Sequence, residues 1–205
     1  VVLCNPGNPT GTSITNTQIV SLRAQLPPGV LLLVDQAYAE FDPQDHAGIF
    51  DLVNRGDTMV TRTFSKAYGL AGARVGWAAC PGPVAKELRK LLNPNNVTLI
   101  SQAMATAAML DQAYMKSVVA QTAARRDRLA QRLSRFGYDV RSSATNFLLI
   151  RFDADAAAQA ADAALRADGL ILRSMGGYGL PDCLRVTIGT EAAMTRVGDV
   201  LEGLK

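Results

Sequence analysis

Lys66 stands in the stretch TRTFSKAYGLAGARVG, residues 61–76, among small and apolar neighbours, with a second cation, Arg74, eight positions later. A lysine alone says nothing about function, because most lysines are solvated surface groups. Its company is less ordinary. Asn8 lies in the turn NPGNPTG, Asp35 closes the apolar run VLLLVD, Tyr38 follows three positions later, and Thr63 and Ser65 precede Lys66. A lysine, a carboxylate, a phenol, an amide, two hydroxyls and a guanidinium make an uncommon set. It suits pyridoxal phosphate, which needs a Schiff-base lysine, an acid facing its pyridinium nitrogen, and donors for its phenolate and phosphate.

The elements that must position these groups are visible as alternating patterns. VVLC reads as a strand ending at NPGNPTG, TNTQIVSLRAQL as a capped helix, and VLLLVD as a continuous apolar strand closed by an acid. TMVTRTF and RVGWAAC are further strands, and GPVAKELRKLL is a helix with Pro near its start. Apolar strands separated by helices indicate an α/β fold whose sheet is mostly parallel with flanking helices. Ligands of such sheets bind beyond the carboxyl ends of the strands. The sheet is therefore expected to bring the scattered polar groups to one edge. From about residue 97 the character changes to a long Ala- and Met-rich helical stretch, one helix or two, whose composition reads as close helix packing. Strand NFLLIRF, helix DADAAAQAADAALRAD, strands LILRS and CLRVTIG and a terminal helix EAAMTRVGDVLEGLK follow. They predict a smaller α+β unit, with residues 1–110 forming a large domain and 111–205 a small one.

Four segments in order, NPGNPTG, VDQAYAEF, TFSKAYGLAGARVG and LRVTIGT, resemble the signature of fold-type I PLP-dependent aminotransferases, with the histidinol-phosphate branch nearest. The likeness runs over essentially the whole chain and covers the latter portion of such enzymes. It implies a PLP-transferase fold with an N-terminally incomplete large domain. It implies transamination of histidinol phosphate with 2-oxoglutarate in histidine biosynthesis, by a cytoplasmic homodimer. The alternatives within the cofactor class are an aromatic amino-acid aminotransferase and a threonine-phosphate decarboxylase. The alternative of another class is a non-catalytic remnant or oligomerisation fragment. By resemblance Lys66 carries the cofactor, Asp35 pairs with the pyridine nitrogen, and Asn8 and Tyr38 bond the phenolic oxygen. Thr63, Ser65 and Arg74 hold the phosphate, while Arg185 and Arg173 receive the substrate's anionic groups. Gln36 stands where the family often has Glu, and Gly7 where Asn is common.

Taken singly, each residue keeps a plainer reading. Asp35 can be a turn residue, Tyr38 a half-buried packing residue, and Asn8 turn chemistry before proline. Arg74 can pair with a structural carboxylate. Thr63 and Ser65 can be the polar face of a strand, and Arg173 and Arg185 solvated face residues. Joint occurrence in order is what favours the chemical reading.

Bulk properties exclude several other classes. The chain has 205 residues, 48% hydrophobic and 19% charged, with a net charge of +3. Cations and acids are interspersed, which argues against a nucleic-acid footprint. The apolar runs are too short to span a bilayer, and no signal peptide is visible. Three scattered cysteines, Cys4, Cys80 and Cys183, argue for reduced thiols. His46, the single histidine, lies in the polar loop DPQDHAG, so neither a zinc site nor a Ser-His-Asp triad is expected. Val1 already lies inside an apolar run, which reads as a fragment of a longer protein, and such a fragment is expected to be inactive by itself.

Overall fold

The computed structural model describes residues 1–44 and 46–205; Asp45, in the DPQDHAG loop, lies outside the described residues. The chain forms two compact units, one of Val1–Gly7 and Ser13–Val118, the other of Asn8–Thr12 and Val119–Lys205. Among the described residues no helix is long and apolar enough to cross a membrane.

The first unit is built on a four-stranded sheet in chain order: β1 (Val2–Cys4), β2 (Leu32–Asp35), β3 (Thr58–Thr63) and β4 (Gly76–Ala79). The first three strands are parallel, with Cys4 beside Asp35 and Asp35 beside Thr61. β4 is antiparallel to β3 and places Gly76 opposite Thr63. The pattern of apolar runs did not announce that reversal. Its cause is the connection, which holds a single 3-10 turn, Ala71–Ala73, in place of the crossover helix that a parallel return uses.

Alternation along β2 buries Leu32 and Val34 completely and leaves Leu33 and Asp35 half-buried. Helices α1 (Asn16–Gln25) and α2 (Phe50–Arg55) set Ile19, Leu52 and Val53 against Leu32, Val34 and Val60. Each fully buried aliphatic side chain contributes about 1.5–3 kcal/mol to stability. A capping box starts α1: the Thr15 hydroxyl accepts from Gln18 N, and Thr15 N donates to Gln18 Oε1 at 2.8 Å. Arg23, at its last turn, is buried and donates to Asp57 Oδ2 and to the Val30 carbonyl, both at 2.9 Å. These bonds fix the loop that returns the chain into β2. Helix α3 (Gly82–Leu91) follows β4, and the long helical stretch resolves into α4 (Leu99–Leu110) and α5 (Gln112–Arg135). Asp111 separates them and accepts from Tyr114 N at 3.0 Å.

The second unit has an antiparallel sheet of β5 (Asp139–Val140), β6 (Phe147–Arg151), β7 (Arg173–Ser174) and β8 (Cys183–Thr187) in the order β5-β6-β8-β7. The expected strand LILRS pairs only through its last two residues. Helices α6 (Asp155–Ala167) and α7 (Glu191–Glu202) cover the sheet with Leu165, Val197 and Leu201 against Leu148, Ile150 and Leu184. The Tyr138 hydroxyl, inside this core, donates to the Leu201 carbonyl at 2.7 Å. Segment 8–12 belongs here through Ala144 N, which donates to the Gly11 carbonyl at 2.8 Å. Gly11 has φ 75, and a Cβ there would lie 2.6 Å from Ser143 Oγ, so only glycine fits.

Candidate active site

In the first unit, Asp35 ends β2 and turns its carboxylate toward β3, where Thr61 Oγ1 donates to Asp35 Oδ1 at 3.0 Å. Among the described residues Oδ2 has no protein partner. The chain then enters the 3-10 turn Ala39–Phe41, which begins at the buried Tyr38. Lys66 Nζ lies 5.4 Å from the centre of the Tyr38 ring, within cation–π range. Among the described residues no carboxylate pairs with Lys66.

The lysine's backbone is fixed by a closed turn. Leu70 N donates to the Phe64 carbonyl at 2.9 Å and Gly69 N to the Lys66 carbonyl at 3.0 Å. Thr63 Oγ1 accepts from Ser65 N at 3.0 Å, which commits that hydroxyl oxygen to ordering the turn. Arg74 follows with a left-handed backbone, φ 51, and its Nη1 donates to the Ala71 carbonyl at 2.7 Å. The first unit thus brings Lys66 to Tyr38 and Thr63 to Ser65. No hydrogen bond of Arg74 reaches another of these candidates.

Two residues that the sequence reading passed over organise this edge. Thr61 holds Asp35, and Arg62 forks onto Gln36 Oε1 with Nε at 3.0 Å and Nη2 at 2.8 Å. Arg62 Nη1 also reaches Glu40 Oε1 at 3.2 Å. Gln36 is fully buried, and its Nε2 lies 3.3 Å from His46 Nδ1. His46 Nε2 in turn lies 3.0 Å from Asp42 Oδ2. His46 is therefore a buried part of a polar network and not a residue of an open loop. Through Arg62 the network ties Gln36 and Glu40, on either side of Tyr38, to β3. A signal for it existed: polar Thr61 and Arg62 interrupt a strand that lies between two others, where apolar residues are the rule.

In the second unit, Arg185 on β8 lies directly opposite Arg173 on β7. Like charges placed opposite each other across strands repel. Both line a cavity of about 660 Å³, together with Arg166, Ser174 and Tyr178. Arg185 Nη1 donates to Asn8 Oδ1, and its guanidinium lies 4.9 Å from the Phe147 ring centre. Its buried Nε has no partner among the described residues. A buried donor without an acceptor is costly. An oxyanion within reach would satisfy that donor and screen the two cations from each other. Asn8 spends its oxygen on Arg185, and among the described residues its amide nitrogen has no hydrogen-bond acceptor.

The sequence model of the family "Aminotransferase class I and II" matches residues 1–201. The histidinol-phosphate aminotransferase of Paramagnetospirillum magneticum is 46% identical over 192 residues, covering 92% of this chain and 53% of that protein. The enzyme of the same name from Cereibacter sphaeroides is 41% identical over 205 residues, covering 100% and 57%. Among solved structures, histidinol-phosphate aminotransferase from Sinorhizobium meliloti, in complex with pyridoxal-5'-phosphate, superposes with a TM-score of 0.92 at 33% identity, covering 100% of this chain and 56% of that one. L-threonine-O-3-phosphate decarboxylase from Porphyromonas gingivalis shares the fold, with a TM-score of 0.87 at 24% identity over 98% of this chain and 63% of that one. The chain spans about half the length of the curated relatives it matches. It belongs to the class I and II aminotransferase family.

Proposed function

We propose that the full-length protein carrying this chain is a PLP-dependent transaminase that takes histidinol phosphate as amino donor and 2-oxoglutarate as acceptor. The observation that carries the reading is the Lys66 amine, set in a closed turn 5.4 Å from the Tyr38 ring centre and without an ion-pair partner among the described residues. Surface lysines are solvated or paired, whereas a lysine that binds a carbonyl needs to be held and left uncommitted.

The donor set fits the cofactor. Asp35 Oδ2 is open for a pyridinium N–H. By resemblance, Asn8 and Tyr38 are each proposed to bond a phenolic oxygen, and Thr63, Ser65 and Arg74 would supply hydroxyls and a cation for a phosphate. When bound, pyridoxal phosphate supplies an electron sink that stabilises negative charge at the substrate Cα. Lys66 Nζ holds the cofactor and then carries the proton removed from substrate Cα. Arg185 and Arg173 receive the anionic end of each substrate in turn, the phosphate of one and a carboxylate of the other. Two opposed guanidinium forks suit both, because each substrate presents paired oxyanion oxygens. The names of the relatives at 41–46% identity support histidinol phosphate as the amino donor, and 2-oxoglutarate as acceptor belongs to the proposal by resemblance alone. Cys4, Cys80 and Cys183 form no disulfide, which supports a reducing compartment such as the cytoplasm; the homodimer belongs to the proposal by resemblance alone.

The test uses the full-length protein. Borohydride should fix PLP onto the peptide containing TFSK; label on Lys86 or Lys90 would defeat the assignment. Steady-state assays should give a higher kcat/KM for histidinol phosphate than for phenylalanine, and the reverse order would move the substrate class to aromatic amino acids.

A further inference from the structure

We infer that Thr61 is a positioning residue for Asp35: its hydroxyl occupies Oδ1 and so presents Oδ2 to a cationic ring nitrogen. The inference rests on the proposed cofactor reading and deepens it. Parallel register sets Asp35 and Thr61 side by side on β2 and β3. The alternation of β3 then sends consecutive side chains to opposite faces, Thr61 to Asp35 and Arg62 to Gln36. Both bonds stand on a fixed frame. Asn5 N donates to the Asp35 carbonyl and Gln36 N to the Thr61 carbonyl, each at 2.9 Å.

A carboxylate at a strand end is otherwise free to rotate about two side-chain torsions. Among the described residues, the 3.0 Å bond from Thr61 is the one hydrogen bond made to the Asp35 carboxylate. Threonine suits the task because branching at Cβ restricts its first torsion, and a hydroxyl donated to an anion is a strong hydrogen bond. An uncommitted carboxylate pays orientation entropy each time it meets a ligand, whereas a prealigned one does not.

A purely structural threonine would stabilise the fold without being coupled to Asp35, so the test is a double-mutant cycle in the full-length protein. The dissociation constant of PLP is measured by equilibrium dialysis on the apoenzyme of wild type, Thr61→Val, Thr61→Ser, Asp35→Ala and the Asp35→Ala/Thr61→Val pair. Absorbance spectra of the bound cofactor across pH and thermal midpoints of the apoenzymes accompany it. Thr61→Val should weaken PLP binding about tenfold, the loss of one charge-assisted hydrogen bond. Thr61→Ser should restore binding to within about twofold, because it keeps the donor. In the Asp35→Ala background, where the acceptor is gone, Thr61→Val should weaken binding no further. The pH dependence of the bound-cofactor spectrum should move in Thr61→Val and return in Thr61→Ser. Equal losses in both backgrounds, or wild-type binding by Thr61→Val, would overturn the inference while leaving the cofactor reading intact. A wild-type protein that does not bind PLP would overturn both. Should Thr61→Val fail to fold, Thr61→Ala carries the same expectations.

Discussion

Arg74 is an arginine where backbone geometry asks for glycine. Its φ of 51 is left-handed, and it directly follows a turn whose other residues, Ala71, Gly72 and Ala73, are small. A non-glycine residue in that region costs on the order of 1–2 kcal/mol. The chain keeps the guanidinium at that expense, although among the described residues its side chain bonds only the nearby Ala71 carbonyl. The proposed role toward a cofactor phosphate would account for the retention. Arg74→Gly should therefore act with opposite signs on two readouts. Thermal stability should hold or rise, by up to about 1 kcal/mol, because glycine adopts the same backbone without strain. On the proposed reading, PLP affinity of the full-length protein should fall about tenfold, the loss expected for one charge-assisted contact to a phosphate. A variant that loses stability and keeps its affinity would return Arg74 to a structural role.

At the scale of elements, the junction of β3 and β4 decides where the lysine loop begins and ends. Gly76 sits opposite Thr63, and a Cβ there would lie 2.6 Å from the Arg62 carbonyl oxygen. Backbone atoms cannot swing aside as a side chain can. Gly76→Ala should cost about 1–3 kcal/mol in denaturant unfolding, the usual penalty of overpacking; an unchanged midpoint would mean that the strands part easily there. In the other sheet, β8 opens with Cys183, which is 2% exposed and lies 3.4 Å from Asp182 Oδ1. Burial, and then the hydrogen bond to Asp182, push the thiol up to about 11 from an ordinary 9.0. Since the folded value lies above the unfolded one, the stability tied to the neutral thiol is complete below about pH 9 and is lost as pH rises toward about 11. At pH 8 a thiol-alkylating reagent should label the half-buried Cys4 and Cys80 in the native chain and reach Cys183 only after denaturation; rapid native labelling of Cys183 would show that β8 opens. Elements with a clean period were legible in the sequence. VLLLVD is a strand with an acid at its end, and Thr15 with Gln18 marks the start of α1. Six-residue α2 and two-residue β5 are too short to show a period, and β4 gives no sign of its direction. Residue type and place at a strand end nominated Lys66, Asp35 and Tyr38. The pairing of Thr61 with Asp35 joins positions 26 apart and belongs to the register of β2 against β3, which no pattern within either strand displays.

For the whole molecule, the distribution of exposed apolar surface sets an expectation about these 205 residues produced by themselves. β1 is an edge strand, with Val2 74% exposed, and α4 holds Leu99 and Leu110 at 83% and 81% exposed. An uncovered edge carrying apolar side chains is a template for pairing with another chain. Exposed apolar area of this kind favours association by about 25 cal/mol for each Å² it buries. The curated relatives are nearly twice as long as the segment they share with this chain, so chain is available in proteins of that length to cover such surfaces. Left uncovered, the surroundings of Lys66 and Asp35 admit water, which weakens each electrostatic contact that a closed site strengthens. The 205-residue chain alone should therefore bind a hydrophobic dye, self-associate in light scattering as its concentration rises, and give no measurable transamination, while the full-length protein does none of the first two and turns over. A monodisperse 205-residue chain that transaminates would show that Lys66, Asp35 and the opposed arginines need no further covering to work.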